Sequence, residues 1–340
     1  MCGLGSIGQR HVRLLRRLLG AEAELACVRR RGLSLAIHDD LTATSVPDLA
    51  EYYGLLQFPD LESAEDWDPD VVFVTNPIAA HVATATWAVK NGAAVFVEKP
   101  LGSDLEGTDS LVSLIDEAGI PTMVGYQLRF HPLFRRVKEW LDAGEIGRPL
   151  AAQVFYGEWL PGMHPYEDYR ESHAARRDQG GGTILCLSHE IDLVRWLLGD
   201  ATTVAAAGGK LSDLELDVED VSDLLFAIDH DGPVVASVHL DFVANPPRRW
   251  GSIVGETGVI EWDLLAARLT RSSPSAPEPH LESFRHVERN EVFAAELQDF
   301  LGAIRSGVDT SLPVAEGLAT LRTCIAARRA LASGTVEPVR

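Results

Sequence analysis

The chain has 340 residues, 46% of them hydrophobic, with 30 basic against 50 acidic side chains and a formal net charge of −20. That length accommodates two domains of roughly 150 residues each, and the apolar content excludes a disordered chain. The acidity disfavours nucleic acid and anionic membranes as partners, although it also simply favours solubility.

No apolar run reaches the roughly 18–20 residues of a membrane span, and no signal-peptide pattern opens the chain. Cys2, Cys27, Cys186 and Cys324 are scattered without a Cys-x-x-Cys pair and read as reduced thiols. The expectation is a soluble, cytoplasmic protein.

Gly3-Leu4-Gly5-Ser6-Ile7-Gly8 leads into a predicted helix over 9–19, with Val12, Leu15 and Leu19 on one face. The Gly-x-Gly-x-x-Gly spacing lets the backbone approach a pyrophosphate at a helix N-terminus. A short strand follows over 23–28. Only Met1 and Cys2 precede the glycines, whereas a first Rossmann strand takes about five residues. The expectation is therefore a start upstream of this Met, or a central strand cut to a stub. Arg29, Arg30 and Arg31 close the strand over 23–28. An acid there would bind the ribose hydroxyls of NAD, whereas an Arg suits the 2′-phosphate of NADP. A solvated basic turn is the plain alternative.

Strands over 70–74, 94–97 and 121–125 alternate with helices over 78–91 and 105–118, the pattern of a doubly wound parallel sheet. Thr75-Asn76-Pro77 closes the first of these strands. His81 follows four residues later, placed either to cap its helix or to touch the cofactor. Ala94-Val95-Phe96-Val97 ends in Glu98-Lys99-Pro100. Ligands in such sheets sit outside the carboxyl ends of the strands, so Glu98 and Lys99 would face whatever is bound. A desolvated Lys there can donate or accept a proton. The tripeptide also fits a surface pair that merely ends a strand.

Beyond residue 150 the rhythm changes to strands over 151–156, 203–207, 223–228, 234–241, 250–254 and 259–263, an α+β pattern with a mainly antiparallel sheet. Two helices, 290–306 and 314–333, close the chain. The division is a dinucleotide-binding domain over 1–125 and a substrate-binding and oligomerisation domain over 126–340.

Between them, Gly180-Gly181-Gly182 opens a helical pattern that runs through Leu198 and stops at Gly199. On one helix Cys186, His189 and Asp192 would share a face, with His189 as acid/base and Asp192 holding its tautomer, or with His189 simply a buried core residue. The preceding run over 159–176 holds His164, Tyr166, Glu167, Asp168, Tyr169, Arg170, His173 and Arg176. It offers hydrogen bonds and ring faces to a polyhydroxy ligand, or it is a solvated lid or a subunit contact. The His and Cys spacing does not suit zinc, and no metal is expected.

With Gly3 to Gly8, Glu98-Lys99-Pro100 and the run from Gly180 to Asp192 in this order, the chain resembles the Gfo/Idh/MocA oxidoreductases, the relatives of glucose-fructose oxidoreductase and inositol 2-dehydrogenase. The resemblance covers essentially the whole length. Thr75-Asn76-Pro77 with His81 is similar to the family's Thr-Pro-x-x-x-x-His pattern. Gly125-Tyr126-Gln127-Leu128-Arg129-Phe130 is similar to its Gly-Tyr-Asn-x-Arg-Phe segment, with Gln127 in place of Asn.

The resemblance implies an NAD(P)-dependent oxidoreductase acting on a sugar, sugar derivative or cyclitol. Lys99 and His189 would be its catalytic pair. Gly3, Gly5, Ser6, Ile7, Gly8, Arg29, Arg30, Thr75, Asn76, Pro77, His81, Glu98, Lys99 and Gln127 would lie along the cofactor. Arg129, His164, Tyr169, Arg170, Cys186 and Asp192 would lie around the substrate. Cys186 stands where relatives with a Ser-His-Glu helix carry an Asp, which weakens the Lys/Asp/His constellation. NADP is the favoured cofactor, with NAD the alternative. A homo-oligomer through the C-terminal sheet is the expected assembly. Two further readings are an enzyme that cycles a permanently bound nucleotide, and a nucleotide sensor or structural protein that has lost turnover.

Overall fold

A computed structural model describes residues 1–29 and 34–340. The N-terminal part comprises α1 (Ser6–Leu19), β1 (Ala26–Val28), β2 (Leu35–Ile37), β3 (Ala43–Ser45), α2 (Leu49–Tyr53), β4 (Leu56–Phe58), β5 (Val71–Val74), α3 (His81–Lys90), β6 (Ala94–Glu98), α4 (Thr108–Ala118) and β7 (Thr122–Gly125). β1 pairs in parallel with β4, and β5, β6 and β7 pair in parallel with one another. Residues 1–3 join the two halves: Met1 and Gly3 hydrogen-bond to β1, and Cys2 between them makes parallel bridges to both Val28 and Val74. The Cys2 N–H donates to the Phe73 carbonyl at 2.8 Å, and its carbonyl accepts from Thr75 at 2.9 Å. The central position of the sheet is thus held by a short stub, which places Gly3 at the carboxyl edge.

The strands are short and apolar, and all five residues of β6 are buried, as parallel strands covered on both faces require. β1 begins at Ala26 rather than at residue 23, where its pairing with Leu56 starts. The hairpin of β2 and β3, with α2 and β4, had no marked periodicity in sequence, and each is only three to five residues long.

The second part contains α5 (Pro132–Asp142), β8 (Pro149–Gly157), α6 (Leu160–Met163), α7 (Thr183–Cys186), α8 (His189–Leu198), β9 (Ala201–Gly209), β10 (Val221–Asp229), β11 (Pro233–Asp241), β12 (Arg248–Gly255), β13 (Val259–Asp263), β14 (Arg268–Ser272), β15 (His280–Ser283), α9 (Arg289–Ser306), α10 (Val314–Ser333) and β16 (Glu337–Pro338). Its nine strands run in the order β15-β14-β13-β12-β8-β11-β10-β9-β16. Every pairing is antiparallel except β8 with β11. Alternate residues of β10 and β11 are buried, so one face is core and the other carries exposed Leu225 and Val235.

The helical pattern over 183–198 is not one helix. It breaks at Leu187 and Ser188 into α7 and α8, so Cys186 and His189 stand on different elements and do not share a helix face.

The two C-terminal helices return to the N-terminal sheet. Phe293 and Phe300 of α9 meet His11, Phe73 and Phe96 at ring separations of 5.7–6.1 Å. On α10, Gly317 lies so close to β7 that an added Cβ would come 2.3 Å from Val124. One continuous apolar core therefore runs through both sheets.

Candidate active site

The glycine-rich turn shows what each glycine does. Gly3 has φ +102°, and a Cβ there would lie 2.6 Å from the Thr75 carbonyl. A Cβ on Gly8 would lie 2.6 Å from the Gly3 carbonyl. Those two glycines let the turn, β5 and α1 pack closely. Gly5 differs: a Cβ there meets no atom of the described residues within 4 Å. It precedes α1, whose first turn has no side-chain cap among the described residues. Open space over Gly5, next to the uncapped amides of Ser6 and Ile7, fits a dinucleotide pyrophosphate.

At the carboxyl end of β5, the Thr75 hydroxyl donates to the Gly3 carbonyl at 2.8 Å, and the Asn76 amide donates to Thr84 at 2.8 Å. Pro77 is exposed at the rim. His81 takes neither role expected of it. It is 1% exposed, and the residue preceding α3 is Ala80. Its Nδ1 lies 2.8 Å from the Pro100 carbonyl and its Nε2 2.9 Å from the Asn76 carbonyl. Burial pushes its pKa down. His81 ties the loop after β5 to the loop after β6, and so positions Lys99 without facing a ligand.

Glu98 also turns inward. Its Oε1 is 2.6 Å from His11 Nε2 on α1, and its Oε2 accepts from the Lys99 amide at 3.3 Å. Gln127 opens a 3-10 turn directly after β7, beside the end of β6, with its side chain partly exposed. Arg29 is half-buried at the end of β1, and Arg30 lies outside the described residues.

Lys99 crosses to the other domain. Its Nζ donates to the backbone carbonyl of Cys186 at 2.6 Å. The break after α7 makes that possible, because Glu190 N–H approaches Leu187 O at 3.4 Å, leaving the Cys186 carbonyl for the lysine. Burial lowers the Lys99 pKa from its ordinary value, opposed by the carboxylates of Glu98 and Glu190.

His189 is the first residue of α8, packed edge-on against Tyr126 at 5.6 Å. Its Nδ1 has no hydrogen-bond partner among the described residues. Burial, then the charges of Lys99, Arg249 and Arg289, hold its pKa well below the usual histidine range. It is a neutral imidazole beside an ammonium. The Cys186 thiol is pushed up to about 12 by burial, so it too is neutral.

Several sequence-based assignments are corrected. Asp192 does not hold His189: its carboxylate accepts from Arg129 at 2.6 and 2.9 Å and from the Thr320 hydroxyl at 3.0 Å. Arg129 also meets Glu316 at 3.4 Å, so Arg129 and Asp192 form a buried ion pair joining the second domain's start to α8 and α10. Neither is free to hold substrate. Tyr169 and Arg170 are also engaged elsewhere. The Tyr169 hydroxyl accepts from the Glu215 amide at 3.1 Å, and Arg170 pairs in the open with Asp168 and Glu215. His164 pairs with Glu167 at 3.0 Å and stacks on Tyr166, whose hydroxyl is hydrogen-bonded to Ser6 at the glycine turn.

The loop residue whose titration feels the Lys99 charge is His173. Its pKa falls to about 4 through burial and then the Lys99 charge. Sequence reasoning also passed over Glu190, Arg249 and Tyr156. Arg249 Nε donates to Glu190 Oε1 at 2.6 Å, and its guanidinium lies 4.1 Å over the Tyr156 ring. Glu190 had a usable signal, being adjacent to His189. Arg249 had none, since a basic pair opening a strand usually points to solvent. Among the described residues no three His, Cys, Asp or Glu side chains converge as a metal set, and all four cysteines are buried and free.

Comparison with known proteins places the family and the fold. Residues 1–126 match a family model described as an oxidoreductase family with an NAD-binding Rossmann fold, and residues 134–261 match the GFO/IDH/MocA C-terminal domain. The scyllo-inositol 2-dehydrogenase (NAD(+)) of Bacillus subtilis is 27% identical over 345 aligned positions, covering 98% of this chain and 93% of its own. Inositol 2-dehydrogenase 3 of Saccharopolyspora erythraea is 28% identical, covering 99% and 94%. Among solved structures, levoglucosan dehydrogenase in complex with NADH superposes with a TM-score of 0.84 at 19% identity, covering 100% of this chain and 98% of the other. That last likeness is one of fold.

The corrected role of Arg129 is open to test. Arg129→Met should lower stability by about 3–5 kcal/mol, the scale for leaving one partner of a buried pair uncompensated. Thermal and denaturant melts would measure this. A variant as stable as the parent, with only the KM raised, would return Arg129 to the substrate.

Proposed function

Because the chain belongs to the Gfo/Idh/MocA family of NAD-binding oxidoreductases, we propose that it interconverts a secondary hydroxyl and the corresponding ketone on a sugar, sugar derivative or cyclitol. The observation that carries this reading is Lys99, desolvated at the carboxyl end of β6 and held on the Cys186 carbonyl beside neutral His189. The curated relatives' names include inositol dehydrogenases, which supports a polyhydroxy substrate.

The bound nicotinamide supplies a two-electron hydride acceptor or donor. The protein's part is the proton. In the oxidative direction Lys99 must be unprotonated to take the hydroxyl proton as the hydride leaves the same carbon. In the reductive direction the ammonium returns that proton to the forming alkoxide. Lowering the lysine pKa eases the first of these transfers and leaves the ammonium a stronger acid for the second. His189, neutral and with Nδ1 lacking a hydrogen-bond partner among the described residues, orients the reacting hydroxyl. The Gly5 opening and the first turn of α1 hold the pyrophosphate.

Arg29 closes β1 where a ribose-binding acid would stand for NAD, which supports NADP(H) as the preferred cofactor. Self-association through the uncovered face of the nine-stranded sheet belongs to the same reading, since that face exposes Leu225, Val235 and Val254.

Screening sugars, cyclitols and uronates with both cofactors, followed by nicotinamide absorbance, tests the activity. Lys99→Met should retain cofactor binding and lose at least about a hundredfold in turnover. In the oxidative direction kcat/KM should rise with pH along a limb lying below the ordinary lysine pKa of 10.5. Cys186→Asp should move that limb to higher pH by stabilising the ammonium, whereas Cys186→Ala, which keeps the carbonyl, should leave it in place. Near-normal turnover of Lys99→Met removes Lys99 from the chemistry. Calorimetric titration decides the cofactor. NADP should bind at least about tenfold more tightly than NAD, and Arg29→Ala should erase the difference. Tighter NAD binding, unchanged by Arg29→Ala, refutes the preference.

A further inference from the structure

Tyr156 and Arg249 are direct cross-strand partners on β8 and β12, on the face of the sheet that looks toward α8. The Arg249 guanidinium rests 4.1 Å over the Tyr156 ring, and the Tyr156 hydroxyl donates to Glu158 Oε2 at 2.6 Å. That stack fixes the plane of the guanidinium. Glu190, 1% exposed on α8, meets Arg249 at one point only, Nε to Oε1 at 2.6 Å. Arg249 Nη2 and Glu190 Oε2 are both buried and have no hydrogen-bond partner among the described residues. His189 Nδ1, on the residue next to Glu190, is in the same condition. Leaving such groups unsatisfied is costly, most of all where they are charged. All of them lie in the electrostatic reach of Lys99.

We propose that Glu190 and Arg249 form a hydroxyl-recognition pair that selects an uncharged polyol over its acidic and amino counterparts. This inference rests on the proposed dehydrogenase reading and specifies its substrate. A hydroxyl donates one hydrogen bond and accepts others, so one substrate oxygen satisfies Glu190 Oε2 and Arg249 Nη2 together. A carboxylate pairs with Arg249 but sets its charge against Glu190, and an ammonium pairs with Glu190 but sets its charge against Arg249. The ion pair is neutral as a unit and rewards a neutral ligand. Discrimination thus comes from a repulsive element on each side as well as from the attractive contact.

The holoenzyme is assayed on a panel of neutral hexoses and cyclitols with hexuronates and hexosamines. The best neutral member should exceed the best charged one by at least about a hundredfold in kcat/KM. Glu190→Gln should narrow the gap to uronates at least tenfold. Arg249→Lys, which keeps the charge and the pairing but removes Nη2, should raise the KM for the neutral substrate with little change in kcat. Uronates turned over as well as neutral sugars would overturn the proposal. So would ratios and KM values unmoved in both variants, once their melts show them folded. If no member is turned over with either cofactor, the dehydrogenase reading itself fails. The pair is then judged separately by titrating the same panel into the complex with NADH and following nicotinamide fluorescence. Tighter binding of neutral members, lost in Arg249→Lys, would uphold the recognition role, and no such preference would end it.

Discussion

Lys99 reaches out of a fully buried strand and donates a hydrogen bond to the Cys186 carbonyl, a backbone atom of the other domain. Most of the site depends on this contact. An ammonium in such surroundings pays a desolvation penalty that one neutral acceptor offsets only in part, so its pKa falls. The acceptor exists because the chain breaks between α7 and α8 instead of continuing as one helix. The loop that carries the lysine is fixed by His81, which ties Pro100 to Asn76, and by Glu98, which is anchored to His11. The side chains that sequence places beside the cofactor are thus divided. Gly5 opens outward beside the first turn of α1, Gly3, Gly8 and Thr75 pack against one another, and His81 and Glu98 face inward to hold the lysine.

Cys186 gains a different meaning from this arrangement. A residue that replaces an expected Asp looks like a lost catalytic partner while only its side chain is considered. What meets Lys99 is the carbonyl, which any residue supplies. The thiol, neutral and buried, adds no negative charge, and this leaves the lysine easier to deprotonate than a carboxylate neighbour would.

The parallel sheet, the antiparallel sheet and the positions of the glycine turn, Lys99 and His189 were legible because each rests on a local pattern: a period, a glycine spacing, a strand stopped by proline. Arg129, Asp192, Tyr169 and Arg170 were misjudged because residue type and loop position do not reveal partners far away in sequence. Asp192 meets Arg129 from 63 residues away and Thr320 from 128. The break at Leu187 and Ser188 was invisible for a related reason. Its apolar spacing is helical, and the carbonyl it exposes has value only once a lysine 87 residues earlier arrives. Arg249 was hidden by the same limit, since its role depends on the cross-strand register with Tyr156 and on α8 packing over both. The central strand could be read only as a deficit, and the structure resolves it into two bridges made by Cys2.

Proton transfer at this site turns on the ionisation of Lys99, and that can be read without any substrate. Competitive acylation of the intact protein across a pH series, with mass spectrometry of the peptide carrying residue 99, gives the titration of this one amine. It should titrate below 10.5, the value for an unperturbed lysine, and Cys186→Asp should shift it upward. A Lys99 titrating at 10.5 or above, indifferent to Cys186→Asp, would contradict the account.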